Sequence, residues 1–198
     1  RRREDTHKGE VGRVFLLAGS RGLTGAACMA TEACVKSGAG LVVLGLPESL
    51  NTIAEVKLTE GMTIPLPEND EGNVSPEAAD IIRKRLEWAT AAVIGPGAGR
   101  SPDTIELLLE IISGLNKPAV IDADGLFALA QAPDRLRKLP ENLILTPHTG
   151  EFARLLDMTP DEVAAERVAL AQKKAREWNA TILLKGSPTL VASPRGKV

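Results

Sequence analysis

Six short, almost unbroken apolar runs recur along the chain, at residues 14–18, 41–44, 91–94, 119–121, 143–145 and 182–184. Each is too short for a stable helix, and several are rich in β-branched residues. An apolar run without polar alternation belongs to a strand covered on both faces, which points to a mostly parallel sheet. Helical patterns lie between the runs. Residues 25–37 are alanine-rich and stop at Gly38, and Ser75-Pro76-Glu77 and Ser101-Pro102-Asp103 are helix starts. In each a capping hydroxyl precedes a proline and an acidic first turn. Thr159-Pro160-Asp161-Glu162 repeats the signal and predicts one long helix to about Trp178. Residues 65–72, polar and proline-containing, read as a surface loop. Alternating βα units of this size predict an α/β fold, a three-layer αβα sandwich on one domain spanning residues 1–198.

The 198 residues suffice for one sizeable core, and a formal net charge of −2 gives no reason to expect a nucleic-acid or anionic-membrane surface. No apolar run reaches the length of a membrane span, and nothing apolar follows Arg1-Arg2-Arg3-Glu4-Asp5, so a cytoplasmic protein without a secretory signal is expected. Cys28 and Cys34 would stand about 240° apart around a helix and cannot easily pair, and two histidines without a ligand cluster make zinc an unattractive reading. Met29, Trp88 and Trp178 fall in helical patterns and read as packing residues.

The chemistry gathers where the strands end. The first run leads into Ala18-Gly19-Ser20 and then Thr24-Gly25-Ala26-Ala27. Later runs lead into Gly95-Pro96-Gly97-Ala98-Gly99, Asp122-Ala123-Asp124-Gly125, Thr146-Pro147-His148-Thr149-Gly150-Glu151 and Lys185-Gly186-Ser187-Pro188-Thr189. Ligands of open parallel sheets sit beyond the carboxyl ends of the strands, and glycine with free helix-start N–H groups suits phosphate. Five such loops on one edge point to a phosphate-bearing ligand. No Lys-Ser/Thr follows Gly19 and Gly25, and the glycines at 95, 97 and 99 lack the dinucleotide-fold spacing, so a P-loop kinase or a standard dehydrogenase is disfavoured.

These segments occur in order with His7-Lys8-Gly9-Glu10-Val11-Gly12, Lys36-Ser37-Gly38-Ala39-Gly40-Leu41-Val42 and Leu184-Lys185-Gly186. Together the set resembles the ADP/ATP-dependent NAD(P)H-hydrate dehydratase family over essentially the whole chain. The resemblance implies a ribokinase-like fold and dehydration of (S)-NADHX or (S)-NADPHX, nicotinamide cofactors damaged by added water. It implies Ala26, Gly97 and His148 at the NAD(P)HX site, and Lys185, Gly186, Ser187, Pro188 and Thr189 at the ADP or ATP site. It further implies Glu151 as the carboxylate for Mg2+, with homo-oligomers and a fused or separate NAD(P)HX epimerase as partners.

Other readings stand beside these. Ala26 and Gly97 could serve packing and a turn, His148 a helix cap, and Lys185 solvation. Asp122 and Asp124 read as loop-ordering residues rather than catalysts, and His7 and Lys8 as an ordered arm. The family's Gly-x-Gly-Asp, whose Asp is the expected general base, does not occur in these residues. The resemblance places that Asp beyond Val198, so no catalytic residue is assigned within the chain. The domain is therefore expected to be C-terminally incomplete and poorly active as it stands. A ribokinase-like small-molecule kinase and a non-catalytic nucleotide-binding module are the competing functions.

Overall fold

The computed structural model describes residues 11–198, so His7 and Lys8 lie outside the described residues. Its strands are β1 (Arg13–Leu17), β2 (Leu41–Pro47), β3 (Met62–Leu66), β4 (Ala91–Ile94), β5 (Ala119–Ile121), β6 (Leu143–Leu145), β7 (Thr181–Leu184) and β8 (Leu190–Ala192). They form one sheet in the order β3-β2-β1-β4-β5-β6-β7-β8. All neighbours are parallel except the closing β7–β8 hairpin. Helices α1 (Thr24–Lys36), α2 (Asn51–Lys57), α3 (Ala79–Trp88), α4 (Pro102–Ser113), α5 (Asp124–Gln131), α6 (Pro133–Leu136), α7 (Thr149–Leu156), α8 (Pro160–Ala165) and α9 (Arg167–Glu177) fill the connections. The expected α/β fold with a mostly parallel sheet is the one observed.

The strand order explains where the helices go. From β1 the chain steps outward to β2 and β3, then crosses back beside β1 and steps the other way. With right-handed crossovers the two directions place their helices on opposite faces. Accordingly α1 and α2 cover one face through Ala27, Cys28 and Ala54, packed on Leu16, Leu44 and Leu46. Residues of α3, α4, α5, α7 and α9 share the larger core on the other face with Phe15, Ile94, Ile121, Leu145 and Ile182. The first face is unevenly covered. Val93, Val120 and Ile144 are successive register partners on it, and Ile144 is 38% exposed.

Three local readings are corrected. Residues 65 and 66 are not loop: Pro65 and Leu66 close β3, and Leu66 is fully buried. A proline fits there because β3 is the sheet edge, where a missing N–H leaves no ladder bond unmade. The helix from Pro160 breaks at Glu166, whose φ and ψ of −126° and 27° separate α8 from α9. Met29 does not pack; it is 70% exposed, whereas Trp178 is buried edge-on against Phe152. No helix among the described residues is long and apolar enough to cross a membrane.

Candidate functional site

Because β1, β4, β5, β6 and β7 are adjacent and parallel, all five loops singled out in the sequence emerge along one carboxyl edge. The chain reverses its direction of travel between β1 and β4, which is where such sheets open a crevice. Backbone bonds close that junction: Gly95 N donates to Leu17 O at 3.0 Å, and Gly19 N donates to Pro96 O at 3.0 Å. The loop after β4 is built by contact. A Cβ on Gly95 (φ +113°) would lie 2.2 Å from Asp122 O and 2.4 Å from Gly125 N. One on Gly97 would lie 2.9 Å from Leu23 Cβ and 3.2 Å from Ala26 Cβ. Ala26, in the first turn of α1, and Gly97 are thus brought side by side.

Charge dominates the far half of the edge. Lys185 Nζ donates to Asp122 Oδ1 at 3.0 Å, and the same oxygen accepts from Thr146 Oγ1 at 2.8 Å. Glu151 Oε2 stands 3.8 Å from Lys185 Nζ. Lys185 N donates to Pro147 O at 2.8 Å, which ties the β7 loop to the β6 loop. Lys185 is therefore an ion-paired cation, partly exposed to solvent.

His148 is the N-cap of α7. Its Nδ1 accepts from Gly150 N at 3.0 Å and Glu151 N at 3.3 Å, while Glu151 Oε2 accepts from His148 N at 2.9 Å. This reciprocal box satisfies donors that a helix start leaves open. Since Nδ1 is the acceptor, a neutral imidazole carries its proton on Nε2, on a side chain 60% exposed. His148 thus caps the helix, and its Nε2 stands 3.6 Å from Glu151 Oε2 on the exposed ring.

The two aspartates of Asp122-Ala123-Asp124 separate in role. Asp124, 4% exposed, accepts from Gly99 N at 3.0 Å and Arg100 Nε at 2.7 Å, so it orders the loop after β4. Asp122 meets the lysine instead. Between them Ala123 has φ 47° and ψ −111°, a conformation that costs roughly 1–3 kcal/mol for a non-glycine residue. Both flanking carboxylates anchor it. The Lys185–Thr189 loop is open, its last four residues exposed, and Thr189 Oγ1 donates to Gly186 O at 3.0 Å. After that loop β8 runs antiparallel to β7 and carries the chain back toward the amino edge of the sheet. Val198 follows β8, is 50% exposed, and is not one of the residues gathered at the carboxyl edge.

Among the described residues no cluster of three His, Cys, Asp or Glu side chains is poised to hold a metal. Asp122 and Glu151 are two hard-oxygen donors around one lysine, a set that fits magnesium held largely through water and phosphate oxygens. Cys28 and Cys34 are unpaired, and burial pushes both thiols above their ordinary range, which disfavours nucleophilic use. Sequence reasoning did not mark Arg167, whose guanidinium lies against Gly186, or Arg100. Neither stands in a glycine motif, and their contacts span 17 or more positions.

The chain resembles known proteins along its length. A family model described as NAD(P)H-hydrate dehydratase matches residues 14–198. The bifunctional NAD(P)H-hydrate repair enzyme Nnr of Moorella thermoacetica is 44% identical over 198 residues. That match covers all of this chain and 37% of the relative, so the chain spans little more than a third of the relative's length. The crystal structure of a ribokinase-like superfamily protein from Enterococcus faecalis V583 superposes with a TM-score of 0.83 at 26% identity, over 98% of this chain and 64% of that one. The ADP/ATP-dependent NAD(P)H-hydrate dehydratase of Bacillus subtilis, co-crystallized with ATP/Mg2+, gives 0.77 at 27% identity, over 99% and 65%.

Proposed function

The chain belongs to the NAD(P)H-hydrate dehydratase family, and from that premise we propose that it serves the ADP- or ATP-dependent dehydration of (S)-NAD(P)HX to NAD(P)H. The observation that carries the reading is Lys185, held 3.0 Å from Asp122 on the same sheet edge as Gly97 and Ala26. Strand spacing puts the β4 and β7 loops about 14 Å apart, room for a hydrated nicotinamide at one end and an adenine nucleotide at the other.

Hydroxide is a poor leaving group, and phosphate is a good one. In the proposed reaction the terminal phosphoryl group of the nucleotide moves to the hydroxyl oxygen of the hydrated ring. The hydroxyl proton leaves, and the bond to the nucleotide's bridging oxygen breaks. The C–O bond then breaks as phosphate departs, and a neighbouring ring carbon gives up a proton, restoring the double bond. The protein's contribution is positioning and charge stabilisation. Ala26 and Gly97 would shape the ring pocket, and the exposed Nε2–H of His148 would donate to the substrate. Residues 185–189 would receive the nucleotide. Lys185 faces two carboxylates, so it cannot by itself balance a polyphosphate. Magnesium beside Glu151 would supply the remaining positive charge when bound. Gly-x-Gly-Asp does not occur between Arg1 and Val198, and the proton-accepting step is assigned to none of these residues.

The reading extends to a cytoplasmic homo-oligomer working with an NAD(P)HX epimerase, fused or separate. The Moorella relative's description as bifunctional and the exposed Ile144 are what support it. The test is recovery of absorbance at 340 nm from NADHX with magnesium and ADP or ATP. This chain would be assayed beside one carried on through Gly-x-Gly-Asp. Nucleotide-dependent recovery in the longer chain, with little in the shorter, is expected. A phosphorylated product that accumulates without elimination would favour a kinase.

A further inference from the structure

We infer that Arg167 is a positioning residue for the nucleotide loop: its guanidinium is a platform against which the Lys185–Gly186 backbone is seated. The inference rests on the assignment of that loop to ADP or ATP. Arg167 opens α9, immediately after the break at Glu166 that divides the helix run. There the arginine stands at the carboxyl end of β7. Its Nη2 is shared between Leu184 O at 3.5 Å and Lys185 O at 3.4 Å. Both bonds are long, and the closer constraint is steric. A Cβ on Gly186 would lie 2.3 Å from Nη2, 2.9 Å from Cζ and 3.2 Å from Nη1, so the glycine sits against the Nη2 end of the guanidinium, where no side chain fits. Arg167 Nε is buried without a hydrogen-bond partner among the described residues. A buried unpaired donor costs free energy, and the hydrogen bonds that offset it run through Nη2 to the loop after β7.

The consequence reaches the site through Lys185. Its backbone is held on both sides of the Cα, by Pro147 O accepting its N–H at 2.8 Å and by Arg167 at its carbonyl. With that backbone held, the side chain is delivered to Asp122 and Glu151, where the phosphates are proposed to sit. A lysine at 167 would keep the charge but lose the plane and the fork, so charge alone would not replace it.

The experiment is a double-mutant cycle read by ADP titration calorimetry with magnesium, with thermal unfolding run beside it. Arg167→Lys and Gly186→Ala are each expected to weaken ADP binding about tenfold, the loss of a charge-assisted contact set. Each should leave a folded protein. Because both act on one platform, the double variant should bind no worse than about the weaker single variant rather than about a hundredfold worse than wild type. Wild-type affinity in Arg167→Lys, or fully additive losses, would overturn the inference while leaving the nucleotide reading intact. Wild-type protein that binds no ADP would overturn the nucleotide reading and the inference with it.

Discussion

The two halves of the carboxyl edge are built on different physics. Around β1 and β4 the site is shape: Gly95 lets backbone meet backbone, and Gly97 lets the loop after β4 close against Leu23 and Ala26. Around β5, β6 and β7 it is charge: Lys185, Asp122 and Glu151 face one another, and His148 caps the helix beside them. The first half is bound into the core and should answer to mutation in stability. The second is a partly solvated constellation and should answer in ligand affinity.

The hardest test of that contrast is Gly95→Ala. The new methyl would meet backbone atoms at 2.2 and 2.4 Å, at a φ that alanine rarely adopts, and backbone cannot yield as a side-chain tip can. A loss of about 3 kcal/mol or more is expected in denaturant unfolding, from strain and overpacking together. An unchanged midpoint would sink the idea that this half is fixed by close approach.

Lys185→Ala should invert the pattern. Its side chain is 42% exposed, so unfolding should barely change, while ADP affinity should fall roughly ten- to a hundredfold with the loss of a charge-assisted contact. Titration calorimetry checks this, and a change below about twofold would place the phosphates elsewhere.

A smaller effect separates the two roles of His148. His148→Ala removes the N-cap and should cost about 1 kcal/mol, and His148→Ser should recover most of it, because a serine oxygen can accept the same N–H groups. If Nε2–H contacts the substrate, His148→Ser should still bind NADHX poorly. Recovery of both properties would make His148 a cap alone.

The smallest effect belongs to acid titration behind the glycine half. Asp103 is held below its ordinary value of 3.8 by Ser101 and Asn69 beside its carboxylate. Asn69 also accepts from Asn73 N at 3.1 Å, and Asn73 backs Gly99. A carboxylate with a lowered folded pKa stabilises the protein fully above its unfolded value, and that contribution fades as pH falls through the folded one. Asp103→Asn should therefore flatten part of the stability loss below pH 3.8 and leave the slope near neutrality unchanged. Stability curves across acid pH measure it.

The legible parts of the sequence share a cause. Buried strands must be apolar on both faces, so residues 14–18 and 91–94 declared themselves, and glycine loops after them declared the edge. Local chemistry also announced the starts of α4 and α8 through Ser101-Pro102 and Thr159-Pro160. Where the sequence misled, a long-range fact overrode a local signal. Pro65 looked like loop because proline breaks ladders, yet an edge strand has a side with no ladder to break. Met29 lay in an apolar-looking helix but faces outward, because α1 buries Ala27, Cys28 and Thr31 instead.

From its residues alone the chain determined a parallel α/β sheet, a phosphate-suited edge and the loops that line it, because burial and backbone clearance act through residue type. Tertiary structure decided which loops share which half of the edge. It set Asp122 rather than Asp124 against Lys185, and it brought Arg167 beneath the backbone that follows β7. Those are pairings between residues 17 to 63 positions apart. The order of strands sets them, and no local pattern in a sequence records which strand lies next to which.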